Sequence, residues 1–228
     1  MILECKNLTK KYGKKVAIDD FNLSIPKGKI VGLLGPNGVG KTTLIKTIAG
    51  LLKYSSGSMK IQGIEPGVET KKIVAYLPDR EFLYQWMSIN ESINFFKKSF
   101  SDFNEDKARR LISDLNLSPK QKIKSLSKGN QERVNISLTI SRDAKLFVMD
   151  EPLAAVDPST RDKIIKIITE NMNRESSMII STHLINDVDV MFDQVVFMNE
   201  GKVVLYDDVE ILRQKHNKSI EDLFKEMI

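Results

Sequence analysis

The sequence predicts an α/β fold in which a mainly parallel sheet carries helices on both faces and holds an inserted helical lobe. Three observations lead there. "IVGLL" and "LFVM" are continuous apolar runs, the texture of strands buried on both sides in a parallel sheet. Strands alternate with helical periods before residue 88 and again after residue 142, which implies parallel pairing. From about Ser88 to Arg142 the chain has helical periods and no evident strand.

The elements follow in order. "MILECKNLTKKYG" alternates polar and apolar residues, and "KKVAIDDFNLSI" reads as a strand. Pro26 and Gly28 turn the chain into the strand "IVGLLG". "KTTLIKTIAGLL" has helical spacing and ends near Gly50. "SSGSMKIQG" is a turn and a short strand, and "KKIVAYLP" is a strand stopped by Pro78. Then come three helices, "SINESINFFKKSF", "NEDKARRLISDLNL" and "KGNQERVNISLTISR", the first with a capping box from Ser88 and Glu91. "KLFVMDEP" is a buried strand, "STRDKIIKIITENMN" a helix, "SSMIIST" a strand and "HLINDVDVMF" a helix. "QVVFMNEGKVVLYD" makes a hairpin, and helices close the chain. One domain results, its core built from residues 1–87 and 143–228 and its helical lobe from 88–142.

Composition narrows the function classes. The 228 residues are 41% hydrophobic and 29% charged, enough apolar material for a core. No apolar run is long enough to cross a bilayer. The N-terminus lacks the apolar stretch and small-residue cleavage site of a secretory leader. The single cysteine, Cys5, cannot form an internal disulfide, which fits a reducing compartment and a packing role. The net charge of +5 suits nucleic acid, an anionic membrane surface or plain solubility; the spread of the lysines favours a solvated surface.

Two motifs carry chemistry. "GPNGVGKT" matches G-x-x-x-x-G-K-[ST] at Gly35, Gly40, Lys41 and Thr42, between a predicted strand and a predicted helix. Small residues there let successive backbone N–H groups converge on phosphate oxygens, and the helix start adds its positive end. Lys41 can reach the outer phosphates, Thr42 can ligate a magnesium ion and Thr43 can donate to a phosphate oxygen. "LFVMDE" ends a buried strand with two acids. Neighbouring side chains on an extended strand point apart, so the two should differ in role. Asp150 suits an outer-shell or water-mediated partner of magnesium, Glu151 a base that polarises the attacking water.

With these motifs in place the chain resembles, over nearly its whole length, the ATP-binding subunit of an ATP-binding cassette (ABC) transporter, and its Asp79 and Lys128 are similar to substitutions in cassettes of the bacterial exporter-like branch. The resemblance implies a P-loop NTPase core, an N-terminal antiparallel β subdomain and an inserted α-helical subdomain. It implies that Tyr12 stacks on adenine and that Asn37 and Gly38 join the phosphate loop. "LSKGNQER" is similar to the family signature L-S-G-G-Q, "EPLAAVDP" places Asp157 in the loop after the catalytic acid, and "STH" places His183 where the family senses the γ-phosphate. Ser127 and Gly129 would contact ATP held by a second cassette, identical or related, in a head-to-tail dimer. ATP and Mg2+ are the implied cofactors, and a separate transmembrane permease is the implied partner. The implied location is the cytoplasmic face of the membrane, held peripherally. Hydrolysis of ATP would drive export of a peptide, antibiotic or lipid-like substrate. The competing reading is a soluble cassette ATPase acting on nucleic acid or ribosomes. Such proteins resemble fused cassettes or carry long coiled-coil inserts, which this chain lacks, so no direct nucleic-acid contact is expected.

Two departures from the family pattern stand out. Lys128 replaces a signature glycine and Asn130 a glutamine; Lys128 either adds charge near the γ-phosphate or faces solvent. Asp79 replaces the glutamine after "AYLP", and either meets the metal or alters how the lobe responds to nucleotide. Phe82, Tyr84 and Trp86 follow, either an exposed permease-docking cluster or a buried one.

Overall fold

The computed structural model describes all residues except Ala155, Arg174 and 186–188. The chain opens with β1 (Leu3–Tyr12), β2 (Lys15–Ile25), β3 (Ile30–Leu34), α1 (Lys41–Ile48), β4 (Ser56–Ile61), α2 (Val68–Ile73) and β5 (Val74–Leu77). Three helices follow: α3 (Ile89–Ser99), α4 (Glu105–Asp114) and α5 (Lys128–Ile140). The chain then runs through β6 (Leu146–Asp150), α6 (Pro158–Asn171), β7 (Ser177–Thr182), β8 (Gln194–Asn199), β9 (Lys202–Asp208), α7 (Val209–His216) and α8 (Ile220–Met227).

Six strands form one sheet in the order β5-β6-β7-β3-β8-β9, parallel except for the β8–β9 hairpin. A separate antiparallel sheet has the order β2-β1-β4. The two faces of the large sheet show the period of two that extended chains impose. Phe147, Met149, Met178 and Ile180 enter one apolar cluster with residues of α5 to α8. Leu146, Val148 and Ile179 enter another with Leu44, Ile45 and Ile48 of α1 and with the antiparallel sheet. Apolar burial on both faces explains why these strands read as unbroken hydrophobic runs.

Helices α3 to α5 enclose a third apolar cluster, with Ile93, Phe96, Ile112, Val134 and Leu138 at its centre. Local sequence sets their starts. Ser88 accepts the Glu91 N–H while the Glu91 carboxylate accepts from the Ser88 N–H at 2.6 Å, the expected capping box. Asn104 caps α4 and Ser127 caps α5. Arg142 ties this unit to the sheet: it donates to Val74 O at 2.8 Å and to Asp102 at 3.0 Å, with its guanidinium 4.2 Å from the Phe100 ring.

Two expectations change. The strand expected from Lys71 begins at Val74, because Lys71–Ile73 finish the short helix α2. The Gly67 N–H donates to Thr70 Oγ1 at 2.8 Å and opens that helix, overriding the apolar run. The helix expected over His183–Phe192 has its middle, 186–188, outside the described residues. Asp189–Met191 forms a single 3-10 turn, and 183–185 are non-helical.

Candidate functional site

The phosphate loop joins the C-terminal end of β3 to α1, at the carboxyl edge of the parallel sheet. Gly40 adopts φ 110°, and a Cβ there would stand 2.2 Å from Ala17 O, so only glycine fits. The loop is thereby held against β2 with its amides free of side-chain cover. Tyr12, Lys15, Asn37, Gly38, Gly40, Lys41, Thr42, Thr43, Asp79 and Glu151 line a single open cleft around it. Gly35 closes the loop at the sheet, where a Cβ would meet Met198 O at 2.4 Å. The half-exposed Tyr12 ring ends β1 at the rim of the cleft, with Lys10 Nζ 4.9 Å from its centre.

Lys41 is buried, 5% exposed. Its ammonium donates to Gly35 O at 2.6 Å and Pro36 O at 3.2 Å, and lies 3.5 Å from Glu151 Oε1. The cation is thus desolvated, held by two loop carbonyls and by the Glu151 carboxylate that follows β6.

The side chains of the two acids meet different partners, because Asp150 ends the strand and Glu151 turns out of it. Asp150 is fully buried at the end of β6; Oδ1 accepts from Thr42 at 3.2 Å and from Ser181 at 2.7 Å. Its carboxyl is pushed above the usual range by burial, against the pull of those two hydroxyls; the charges of Asp79 and Glu151 push it further. Glu151 adopts φ 49°, a left-handed conformation that glutamate rarely visits. Its N–H donates to Ser181 Oγ at 3.0 Å and Ser181 O at 3.2 Å. That turn sends its carboxylate toward Lys41 and toward His183, whose Nδ1 is 2.9 Å from Oε2. Ser181 is a residue that sequence reasoning missed. The only signal was a buried hydroxyl next to Thr182 at the carboxyl end of the strand "SMIIST", which holds three hydroxyl residues.

A divalent cation can be tested against these residues. Asp150 Oδ2 is buried without a hydrogen-bond partner, and the Thr42 hydroxyl stands beside the other oxygen. An oxygen-seeking ion fits that hydroxyl–carboxylate pair. Among the described residues no group of three or more His, Cys, Asp or Glu could hold a metal, so phosphate oxygens would complete its shell.

Ser127 and Gly129 lie apart from this cleft, at the N-terminus of α5. Ser127 Oγ accepts the Asn130 N–H at 3.3 Å, and the amides of Lys128 and Gly129, in the first turn, have no intrahelical acceptor. The two departures, Asp79 and Lys128, face one second cleft together with Glu132 and Glu151. Burial raises the Glu132 carboxyl to about 7 even though Asn135 and Lys128 favour its charge. Burial likewise lifts Tyr76 to about 12, and the carboxylates of Asp150 and Asp79 add to that.

The ABC transporter family profile matches residues 18–154, which take in the phosphate loop, the signature helix and both acids. This chain belongs to the ABC transporter family. It is an ATP-hydrolysing cassette of the kind that powers transport. The lantibiotic transport ATP-binding protein SrtF of Streptococcus pyogenes is 30% identical, covering 96% of this chain and 97% of the relative. The SkfA peptide export ATP-binding protein SkfE of Bacillus subtilis is 31% identical over 89% of this chain and 87% of its own length. Among solved structures, the ATP-binding subunit of an ABC transporter superposes with a TM-score of 0.88 at 24% identity, over 100% of this chain and 99% of that one. A dimeric bacterial ABC transporter cassette gives 0.79 at 22% identity, over 90% and 98%. These likenesses establish the cassette fold. Among the described residues no helix is long and apolar enough to cross a membrane.

Proposed function

We propose that this cassette binds ATP between two copies of itself and drives a separate membrane permease that exports a peptide, antibiotic or lipid-like substrate. One observation carries the reading: Glu151, turned by its left-handed backbone, stands between Lys41 and His183 at the mouth of the phosphate loop. There it can accept a proton from a water aimed at the γ-phosphate, while His183 orients the carboxylate. Tyr12 would stack on adenine, and Asn37, Gly38, Gly40, Lys41 and Thr43 would hold phosphates. Thr42 and Asp150, with Asp79 from across the cleft, would hold Mg2+, which would neutralise phosphate charge.

Ser127 and Gly129 of the second copy would close the site. This chain carries both halves, a phosphate loop with its acids and a capped signature helix, so a copy of itself can supply everything the composite pocket needs. We read 88–142 as the lobe that carries the signature face and 1–87 with 143–228 as the core; the separate apolar cluster of α3 to α5 supports that division.

The permease surface we assign to Tyr84, Trp86 and Phe95, which are 54%, 60% and 42% exposed. Tyr84 stacks on Trp86 at 5.8 Å and meets Phe95 edge-on at 6.2 Å. Half-buried Phe82 packs on Phe96 at 6.1 Å and lines the adjoining apolar groove with Phe95 and Phe100. Peripheral attachment at the cytoplasmic face follows from such docking. The printed roles of SrtF and SkfE, lantibiotic transport and peptide export, support a peptide-like cargo. Co-expression with the cognate permease, followed by purification and an ATPase assay, tests the reading. Trp86→Ala should reduce capture of the permease. Failure to hydrolyse ATP in that complex would defeat the motor reading.

A further inference from the structure

We propose that Thr160 sets the position of the signature helix and is the reason residue 129 is glycine. The inference rests on the reading that the Ser127 face serves a second copy's ATP. A Cβ on Gly129 would stand 3.2 Å from both Cγ2 and Oγ1 of Thr160, at the start of α6. Such contacts are too close unless the threonine yields. Thr160 is held from its other side. Its Oγ1 donates to Asp157 Oδ2 at 2.7 Å, and its N–H donates to Asp157 Oδ1 at 3.1 Å. Its two branches are equidistant from the Cβ position, so turning the side chain exchanges one close contact for another.

Asp157 caps α6, with Pro158 as the first helical residue. The cap, the locked threonine and the bare glycine therefore bring the first turns of α5 and α6 into contact. Any shift of Gly129 moves the Ser127 hydroxyl and the amides of Lys128 and Gly129 with it, since all lie within one turn.

This contact links two sites. The loop that begins at Glu151, in the pocket for the chain's own ATP, ends at Asp157. Through Thr160 it sets the face offered to the second copy's ATP. Asp157 and Thr160 are positioning residues for the face offered to the second copy's ATP.

The test is a double-mutant cycle on the Glu151→Gln chain, read as the concentration at which ATP and magnesium drive dimerisation in sedimentation. Gly129→Ala is expected to weaken the dimer about tenfold or more, Thr160→Ala alone by less than about threefold. In the Thr160→Ala background, which removes both close atoms, Gly129→Ala should cost less than about twofold. Thr160→Ser, which keeps the bond to Asp157 and drops the methyl, should rescue only in part. A second readout works on the monomer: amide exchange at residues 128–131 should quicken in Gly129→Ala with Thr160 present, and not with alanine there. Equal losses in both backgrounds would mean the glycine serves nucleotide directly and would overturn the proposal. So would a harmless Gly129→Ala. If the parent Glu151→Gln chain does not dimerise with ATP, the composite-site reading fails instead, and the exchange experiment alone decides the positioning claim. Unchanged exchange would then defeat it.

Discussion

Ser181 donates its hydroxyl to Asp150 Oδ1 at 2.7 Å across two paired parallel strands, and with the same oxygen it accepts the Glu151 N–H at 3.0 Å. One buried hydroxyl therefore orients both acids, the side chain of one and the backbone of the other. Ser181→Ala leaves a buried carboxylate short of a donor and a left-handed glutamate short of its anchor. It should cost about 1–3 kcal/mol of stability and lower ATP turnover more than it changes nucleotide affinity. Urea unfolding and steady-state kinetics check the pair. A variant with normal stability and turnover would refute the assignment.

The same bond has a pH signature. Burial holds the Asp150 carboxyl above its ordinary 3.8, and Ser181 opposes that rise. A carboxyl raised by folding favours the native state when protonated; that advantage is full below its unfolded value and is lost as pH rises through its folded value. Removing Ser181 raises it further. The stability gap between wild type and Ser181→Ala should therefore be wider at pH 7 than at pH 4. Thermal melts at the two pH values measure it, and a gap that shrinks toward neutrality would contradict the mechanism.

Arg142 should prove a structural keystone. Its guanidinium is buried against Val74 O, the Asp102 carboxylate and the Phe100 ring, joining helices α3 to α5 to the sheet edge. Arg142→Ala should cost about 3 kcal/mol or more, because it strips a partly buried carboxylate and three carbonyls, Val74 O of the strand and Lys71 O and Lys72 O of helix α2, of their donor. Arg142→Lys should recover only part of that, since an ammonium cannot form the forked contact. Urea unfolding reads both, and a loss below about 1 kcal/mol would show the contact to be incidental.

Lys41→Ala should weaken ATP binding by at least about tenfold, the loss expected when a desolvated charge on phosphate is removed. Calorimetric titration measures it. Unchanged affinity would break the phosphate assignment and leave Lys41 only its bonds to the Gly35 and Pro36 carbonyls and its 3.5 Å approach to Glu151.

Features set by neighbouring residues were readable from the sequence. The phosphate loop, the Ser88–Glu91 box and most of the alternation of buried strands with helices arise within a few positions and formed where expected; the helix expected over His183–Phe192 is the exception, with 183–185 non-helical, 186–188 outside the described residues and a single 3-10 turn at Asp189–Met191. The start of β5 was misread because a Thr70 hydroxyl, not apolar pattern, decides the fate of Lys71–Ile73. Long-range register hid the rest. Ser181 matters because β6 and β7 pair it with Asp150, thirty-one positions away. Lys128 and Asp79 share a cleft only once α5 packs beside the end of β5. The exposed stacking of Tyr84 on Trp86 likewise needed the fold to separate it from buried Phe96.

The most direct measurement of the central claim is sedimentation of the purified Glu151→Gln chain with ATP and magnesium, alone and with Ser127→Arg added. Losing the base while keeping Lys41 and the loop amides should leave ATP bound and unhydrolysed, so a dimer should accumulate with ATP and not with ADP. The bulky cation at residue 127 should return it to monomer. A chain that stays monomeric with ATP, or a dimer indifferent to Ser127→Arg, would contradict a pocket shared between two copies.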